Sequence, residues 1–102
     1  GSPLAGQGET FATAAWENGV DPRWSPAISN TESTKGANCF LPHNAWGWGS
    51  TGWSSWEEAI NAHVAGLAKG YGYTISYSNA QKYCPPNYDN WFRDTLREMS
   101  KI

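Results

Sequence analysis

Tryptophan is the residue that most constrains the fold of this chain. Seven Trp, five Tyr and three Phe occur in 102 residues. Aromatic side chains bury a large apolar area each, so some of these rings must build the core of one small domain. Seven indoles are more than so small a core comfortably encloses. We therefore expect several of them to line a groove.

The rest of the composition narrows the class of partner. The formal net charge is −2, which disfavours nucleic acid or an anionic membrane as the main partner. No apolar run approaches the roughly 20 residues that a membrane-spanning helix needs. A signal peptide is absent, and Gly1 and Ser2 resemble the scar of a removed tag. We expect residues 1–7 to be a disordered lead-in and residues 8–102 to be one domain of a larger multidomain protein.

Periodicity and capping signals predict a mainly α-helical domain. The predicted helices cover residues 10–18, 26–35, 54–70, 78–83 and 87–100. The third has the clearest apolar stripe, at a period of about 3.6 residues, formed by Trp56, Ile60, Val64 and Leu67. The inward face predicted for the last helix consists of Tyr88, Phe92, Leu96 and Met99.

The glycine-rich segment between residues 36 and 54 lacks a helical period. Trp46 and Trp48 alternate with glycines there, which would place both rings on one face of an extended strand. We therefore predict a minimal β-hairpin or loop lobe, in which the two rings divide between core and groove.

One carboxylate marks the candidate site. On a helix over residues 26–35, Trp24, Ile28 and Glu32 fall at i, i+4 and i+8 on one stripe. A carboxyl group on an apolar stripe should have a raised pKa, because burial disfavours its charged form. Such a group can act as a general acid near neutral pH. The alternative is a solvated helix-end carboxylate, or one paired with Lys35.

The two cysteines suggest a second constraint. Cys39 and Cys84 have a spacing that matches no zinc pattern, and we predict no metal or cofactor. In a secreted-looking domain they most simply form one disulfide, with two buried free thiols as the alternative. The disulfide would hold Tyr83 near the segment after Glu32, where a phenol could orient a sugar or stabilise a developing positive charge. Ordinary aromatic packing is the alternative for Tyr83.

Three ordered stretches resemble peptidoglycan-cleaving domains of the lysozyme-like superfamily, close to bacterial glucosaminidases and lytic transglycosylases. Residues 19–33, ending in AISNTES, resemble the helix that ends in a catalytic Glu-Ser pair. Residues 44–48, NAWGW, resemble the Asn-x-aromatic-Gly segment of glucosaminidase domains. Residues 56–71, with Tyr83 and residues 87–88, resemble the later helix and the tyrosine-bearing turn that faces the cleft. The likeness covers roughly residues 18–95.

The resemblance implies a two-lobed, lysozyme-like fold with its cleft between the lobes. It implies that Glu32 is the catalytic acid and Tyr83 the active-site tyrosine. The substrate-binding residues expected around them are Asn44, Trp46, Trp48, His43 and Tyr88. For the loop histidine, simple exposure to solvent is the alternative.

The resemblance further implies a secreted or cell-wall-associated bacterial domain that cleaves β-1,4 bonds in the glycan strands of peptidoglycan. Residues 33–56 contain no Asp or Glu, so the second carboxylate of two-carboxylate glycosidases is missing. A lytic transglycosylase, which needs one acid and forms 1,6-anhydro-muramic ends, is therefore the preferred hypothesis. The alternatives are substrate-assisted hydrolysis by a glucosaminidase, a non-catalytic Trp-rich glycan-binding module, and a degenerate enzyme-like domain.

Overall fold

The first two helices begin and end at local signals in the sequence. The computed structural model describes residues 2–102, with α1 at Gly8–Asn18 and α2 at Trp24–Ser33. Gly19 closes α1 with φ 66°, a left-handed conformation that glycine adopts without steric cost. α2 begins earlier than expected because a turn at Asp21 starts it. The Asp21 carbonyl accepts the Trp24 N–H, and the Asp21 carboxylate accepts the Arg23 N–H.

The three remaining helices confirm the prediction of a mainly α-helical domain. α3 spans Trp56–Gly70, α4 spans Tyr77–Tyr83 and α5 spans Tyr88–Met99. Ser55 caps α3 by accepting the Glu58 N–H at 3.1 Å, so the helix begins two residues after its predicted start at residue 54. No helix within residues 2–102 combines the length and apolarity that crossing a membrane requires.

The inward face of α5 differs from the predicted stripe. α5 packs against α2 and α4, while α1 packs against α3. The period is helical, but Leu96 is 46% exposed and the neighbouring Thr95 is buried. Thr95 can be buried because its hydroxyl lies 2.9 Å from that of Thr31 on α2. Met99 is buried as predicted, and Trp91 and Thr95 take the inward positions that were assigned to Phe92 and Leu96.

Of the predicted β-hairpin or loop, the structure has the loop, since residues 2–102 contain no strand. Residues 34–55 instead form a loop of turns built around the buried side chain of Asn44. Its Oδ1 accepts the Trp48 N–H at 3.0 Å, and its Nδ2 donates to the carbonyls of Trp48 and Thr51 at 2.9 and 2.8 Å. Gly47 and Gly49 both have φ 59°, so this backbone curls where extended geometry was expected.

The predicted disulfide is also absent, and Cys39 and Cys84 are free thiols. The Cys39 thiol donates to the Gly36 carbonyl at 3.4 Å, and partial burial raises its pKa. Cys84 lies at the C-terminal end of α4. The fold therefore forms without a covalent link between the two cysteines.

The chain ahead of α1 takes part in the fold over the residues that are described. Turns at residues 2–7 place Leu4 in the hydrophobic core. The expected disordered lead-in therefore does not describe this part of the chain. Gly1, one half of the suspected tag scar, lies outside the described residues.

A buried polar chain joins four parts of the molecule. The Tyr83 hydroxyl on α4 donates to the Trp46 carbonyl in the loop at 2.7 Å. With its one proton used, it accepts from His63 Nε2–H on α3 at 3.0 Å. His63 Nδ1 then accepts the Ser25 hydroxyl on α2 at 2.7 Å. Burial lowers the pKa of His63 well below its ordinary value, so the imidazole is neutral and every proton in the chain is assigned.

Replacing Tyr83 with Phe should destabilise the fold while keeping its aromatic packing. The loss leaves the His63 N–H and the Trp46 carbonyl without their partner, at a cost of about 1–3 kcal/mol in the free energy of unfolding. Urea denaturation followed by tryptophan fluorescence measures it. Tyr73→Phe is the matched control, because Tyr73 is exposed. Equal stability of the two variants would contradict the role given to the buried chain.

Candidate active site

Glu32 opens onto a small concave pocket at the end of α2. The pocket has a volume of about 250 Å³ and is lined by Glu32, Ser33, Asn38, Phe40, Leu41, Asn44, Gly47 and Gly49. The loop side of the pocket is attached to α2 through Ser33, whose hydroxyl lies 2.7 Å from the Ala45 carbonyl. The sequence pair Glu32-Ser33 thus supplies an ionisable group and the anchor for the loop opposite it.

The carboxyl group of Glu32 is held by an indole. Its Oε2 accepts the Trp91 Nε1–H from α5 at 2.8 Å. Glu32 is an exposed residue, and its side chain reaches solvent through the pocket mouth. Only its carboxyl end lies against the helix end, the loop and the indole, which remove part of the hydration of that group. Partial burial raises the pKa of Glu32, and the Trp91 hydrogen bond lowers it by a smaller amount, so the net pKa is raised.

Gly47 lets the loop approach the acid. A Cβ atom at this position would lie 3.0 Å from Glu32 Oε1, closer than an ordinary van der Waals contact. Its φ of 59° also favours glycine. Glu32 is therefore held on both sides, with Trp91 bonded to Oε2 and the Gly47 backbone next to Oε1.

Tyr83 supports this arrangement from behind. Its ring stacks on Trp91 with centroids 4.7 Å apart and planes at 25°, and its hydroxyl is fully used in the buried chain. Burial above all, and then the charge of Glu32, raise its pKa well above the ordinary value. The described residues that line the pocket do not include Tyr83. It is therefore a positioning residue, and the expectation that it touches substrate remains unsupported.

Of the two predicted substrate-binding tryptophans, Trp46 lies in the interior and Trp48 is half-buried against it. Trp46 is 0% exposed and stacks on His63 at 4.8 Å. Trp48 lies so close to α3 that a Cβ added at Gly66 would be 2.4 Å from its ring. Asn44 borders the pocket, but its amide is used inside the loop. The NAWGW segment therefore borders the pocket through Asn44 and Gly47, and neither of its two indole rings lies in the pocket lining.

His43 and Tyr88 also lie apart from the Glu32 pocket. The His43 imidazole lies 2.7 Å from the Trp53 carbonyl through Nδ1 and packs edge-on against Trp56 at 4.8 Å. Tyr88 packs edge-on against Tyr77 at 5.4 Å. Neither side chain is among the described residues that line the pocket.

Sequence reasoning did not identify Trp91, Phe40 or Asn38 as part of the site, nor the contact of Gly47 with Glu32. Trp91 was overlooked because the inward face of α5 was placed one residue out of phase. Phe40, fully exposed on the pocket rim, carried one weak signal, which is a large apolar residue in a polar loop. The contact between Gly47 and Glu32 joins two distant segments and leaves no trace in local sequence.

A larger concavity lies elsewhere and suits chemistry poorly. This groove of about 610 Å³ is lined mainly by apolar side chains of the N-terminal turns, α1 and α2. Its carboxyl group, Glu98, lies 3.1 Å from Lys35. Burial raises the pKa of Glu98, but Lys35 and Lys101 together lower it by more. Residues 2–102 hold no group of three or more His, Cys, Asp or Glu arranged for a metal ion.

Comparison with known proteins adds no family. No protein-family model, curated protein or solved structure matches this chain. The functional argument therefore depends on the geometry and electrostatics of the Glu32 pocket.

Replacing Trp91 with Phe should raise the pKa of Glu32 further. The change removes the N–H donor that stabilises the carboxylate, so the protonated form gains at a given pH. Titration of the carboxyl carbon by NMR measures the shift. Trp53→Phe is the control, since this ring also packs on the core but lies outside the pocket. An unchanged or lowered pKa in the Trp91 variant would contradict the assigned hydrogen bond.

Gly47→Ala and Gly49→Ala form a matched pair that isolates the contact with Glu32. Both positions have φ 59°, so both variants should lose about 1–2 kcal/mol of stability from left-handed strain. A Cβ at position 49 meets open space, whereas one at position 47 meets Glu32 Oε1. We therefore expect only Gly47→Ala to change the pKa of Glu32. The same NMR titration checks this, and equal shifts in both variants would contradict it.

Proposed function

We propose that this domain has a lysozyme-like fold and cleaves β-1,4 bonds in the glycan strands of peptidoglycan, with Glu32 as its single acid. The observation that carries the proposal is the Glu32 carboxyl, partly desolvated, fixed by Trp91 and open to a pocket. Such a group keeps its proton at a higher pH than an ordinary carboxyl, as a general acid needs. The substrate implies a secreted or wall-associated bacterial protein, in which this chain is one domain.

Glu32 performs both proton transfers in this scheme. It first gives its proton to the glycosidic oxygen, and the bond from that oxygen to the muramic C1 breaks. The 2-acetamido group of the same sugar assists at C1. The resulting carboxylate then takes the proton of the muramic C6 hydroxyl, and the C6 oxygen bonds to C1 to close a 1,6-anhydro ring. Glu32 ends protonated, ready for another cycle.

The pocket supports a mechanism with one carboxylate. Among the eight residues that line it, Glu32 is the only one with an ionisable side chain. A second carboxylate for a water-activating or nucleophilic role is therefore missing from the lining. The same feature fits substrate-assisted hydrolysis by a glucosaminidase, which is the second candidate. The two differ in their products, anhydro-muramic ends in one case and reducing glucosamine ends in the other.

The tryptophans favour catalysis over a Trp-platform binding module. Of the seven, Trp16 alone is exposed, and the other six are buried or partly buried. Trp16 lies on α1 and does not border the Glu32 pocket. Most of the tryptophans therefore pack in or against the core, and one of them, Trp91, also binds the Glu32 carboxyl.

Glu32→Gln should lower the turnover of purified cell walls at least about 100-fold, which is the scale of general acid catalysis. The fold should persist, since the Gln carbonyl can still accept the Trp91 N–H. Mass spectrometry of the digest measures turnover and identifies the bond and the product ends. Glu57→Gln, which changes an exposed acid at the start of α3, should leave turnover intact. Retained turnover in the Glu32 variant would remove the assignment.

The pH dependence follows from the same group. Glu32 must be protonated to act, so turnover should fall as pH rises through its raised pKa.

The raised pKa of Glu32 also fixes how the free energy of unfolding depends on pH. A carboxyl whose pKa is higher in the folded state binds more protons there, so its ionisation lowers stability as pH rises through that window. The Glu32→Gln protein should therefore be at least as stable as the parent at pH 7.

A further inference from the structure

The rim of the Glu32 pocket carries an aromatic ring that does not pack against the core. Phe40 is 106% exposed, although it lines the same pocket as Glu32. Its short segment is tied at both ends, because the Asn38 N–H donates to Ser33 O at 2.9 Å and the Asn44 N–H donates to Leu41 O at 3.1 Å. The ring is thus presented at a defined place beside the acid, where it gains nothing from the core.

The chemistry of the rim selects an uncharged ligand. Glu32 is the only ionisable lining residue, and no cation borders the pocket among the described residues. An anionic group on a ligand would therefore find no positive charge to pair with in the pocket lining. Asn38 shares the rim, and its side-chain amide makes no hydrogen bond to any residue within 2–102. It offers one donor group and one acceptor to a ligand amide or hydroxyl.

We propose that Phe40 and Asn38 form a subsite for one uncharged 2-acetamido sugar, such as an N-acetylglucosamine unit, next to Glu32. The apolar face of the pyranose lies on the Phe40 ring, and the acetamido group or a hydroxyl meets the Asn38 amide. The volume of about 250 Å³ suits a single ring, since it is below the about 300 Å³ at which pockets for drug-sized ligands begin. This inference rests on the proposed function and adds to it the sugar that this subsite takes.

A muramic acid unit fits this subsite less well. Its lactyl group carries a carboxylate unless a peptide is attached, and the subsite supplies no positive charge to pair with it. An oligomer made only of N-acetylglucosamine should therefore bind at least as tightly as a glycan of equal length with free muramic acid units.

The test measures binding of chitotetraose to the Glu32→Gln protein, in which turnover is blocked, by NMR titration. Adding Phe40→Ala should weaken binding by about tenfold, which corresponds to about 1.4 kcal/mol. Phe40→Trp should keep binding within about threefold, because it preserves a flat apolar surface. Asn38→Ala should weaken binding without affecting the fold. Trp16→Ala is the control, because this ring is 89% exposed but lies off the pocket.

The outcomes separate this subsite from the proposed function. If the parent cleaves cell walls but Phe40→Ala binds chitotetraose as tightly as the parent background, the subsite is overturned and the function stands. The same holds if walls are cleaved and no variant binds chitotetraose. If walls are not cleaved and no binding occurs, both are overturned. Tighter binding of the free-muramic glycan would overturn the preference for an uncharged sugar.

Discussion

The neutral imidazole of His63 is the constraint on which the rest of the structure depends. It accepts from Ser25 on α2 and donates to Tyr83 on α4, and Tyr83 in turn donates to the loop at Trp46. A charged imidazole could not accept, and a different tautomer would leave one partner unmatched, so the buried chain fixes three helices and the loop in one arrangement. Tyr83 then supports the Trp91 ring that holds the catalytic candidate. The acid is thus positioned by the core itself.

Two opposed effects set the pKa of Glu32. Closing the pocket with α5 and the loop removes water from the carboxyl and favours its protonated form, while the Trp91 N–H favours the ionised form. An acid that must first give a proton and then take one back needs both states within reach. The indole also fixes one oxygen, so the proton is carried by Oε1, beside Gly47. Orientation and pKa are therefore set by the same two neighbours.

The sequence predicts most of what is local and little of what joins distant segments. The five helices and the end of α1 at Gly19 follow from apolar periodicity and turn residues. Glu32 could be identified because no other Asp or Glu follows it before residue 57. The rotation of α5 does not, because its buried face includes Thr95, whose hydroxyl finds a partner in Thr31 of a distant helix. The loop likewise follows from the amide of Asn44, which can satisfy four backbone groups only after the chain has curled. The alternation of Trp and Gly in residues 46–49 resembles a strand pattern, but the backbone there forms a curled loop.

If the proposed sugar binds at Phe40, its binding would be coupled to the protonation of Glu32. Trp46 lies in the core and Trp48 is half-buried, so Phe40 is the one aromatic ring among the described residues that line the pocket. An uncharged sugar seated on that rim brings no charge to the carboxyl and displaces the water that still reaches it. Loss of this remaining hydration raises the pKa of Glu32 further. Occupancy of the pocket would therefore itself favour the protonated form, so that the proton is held most firmly when a glycosidic oxygen is at hand to receive it.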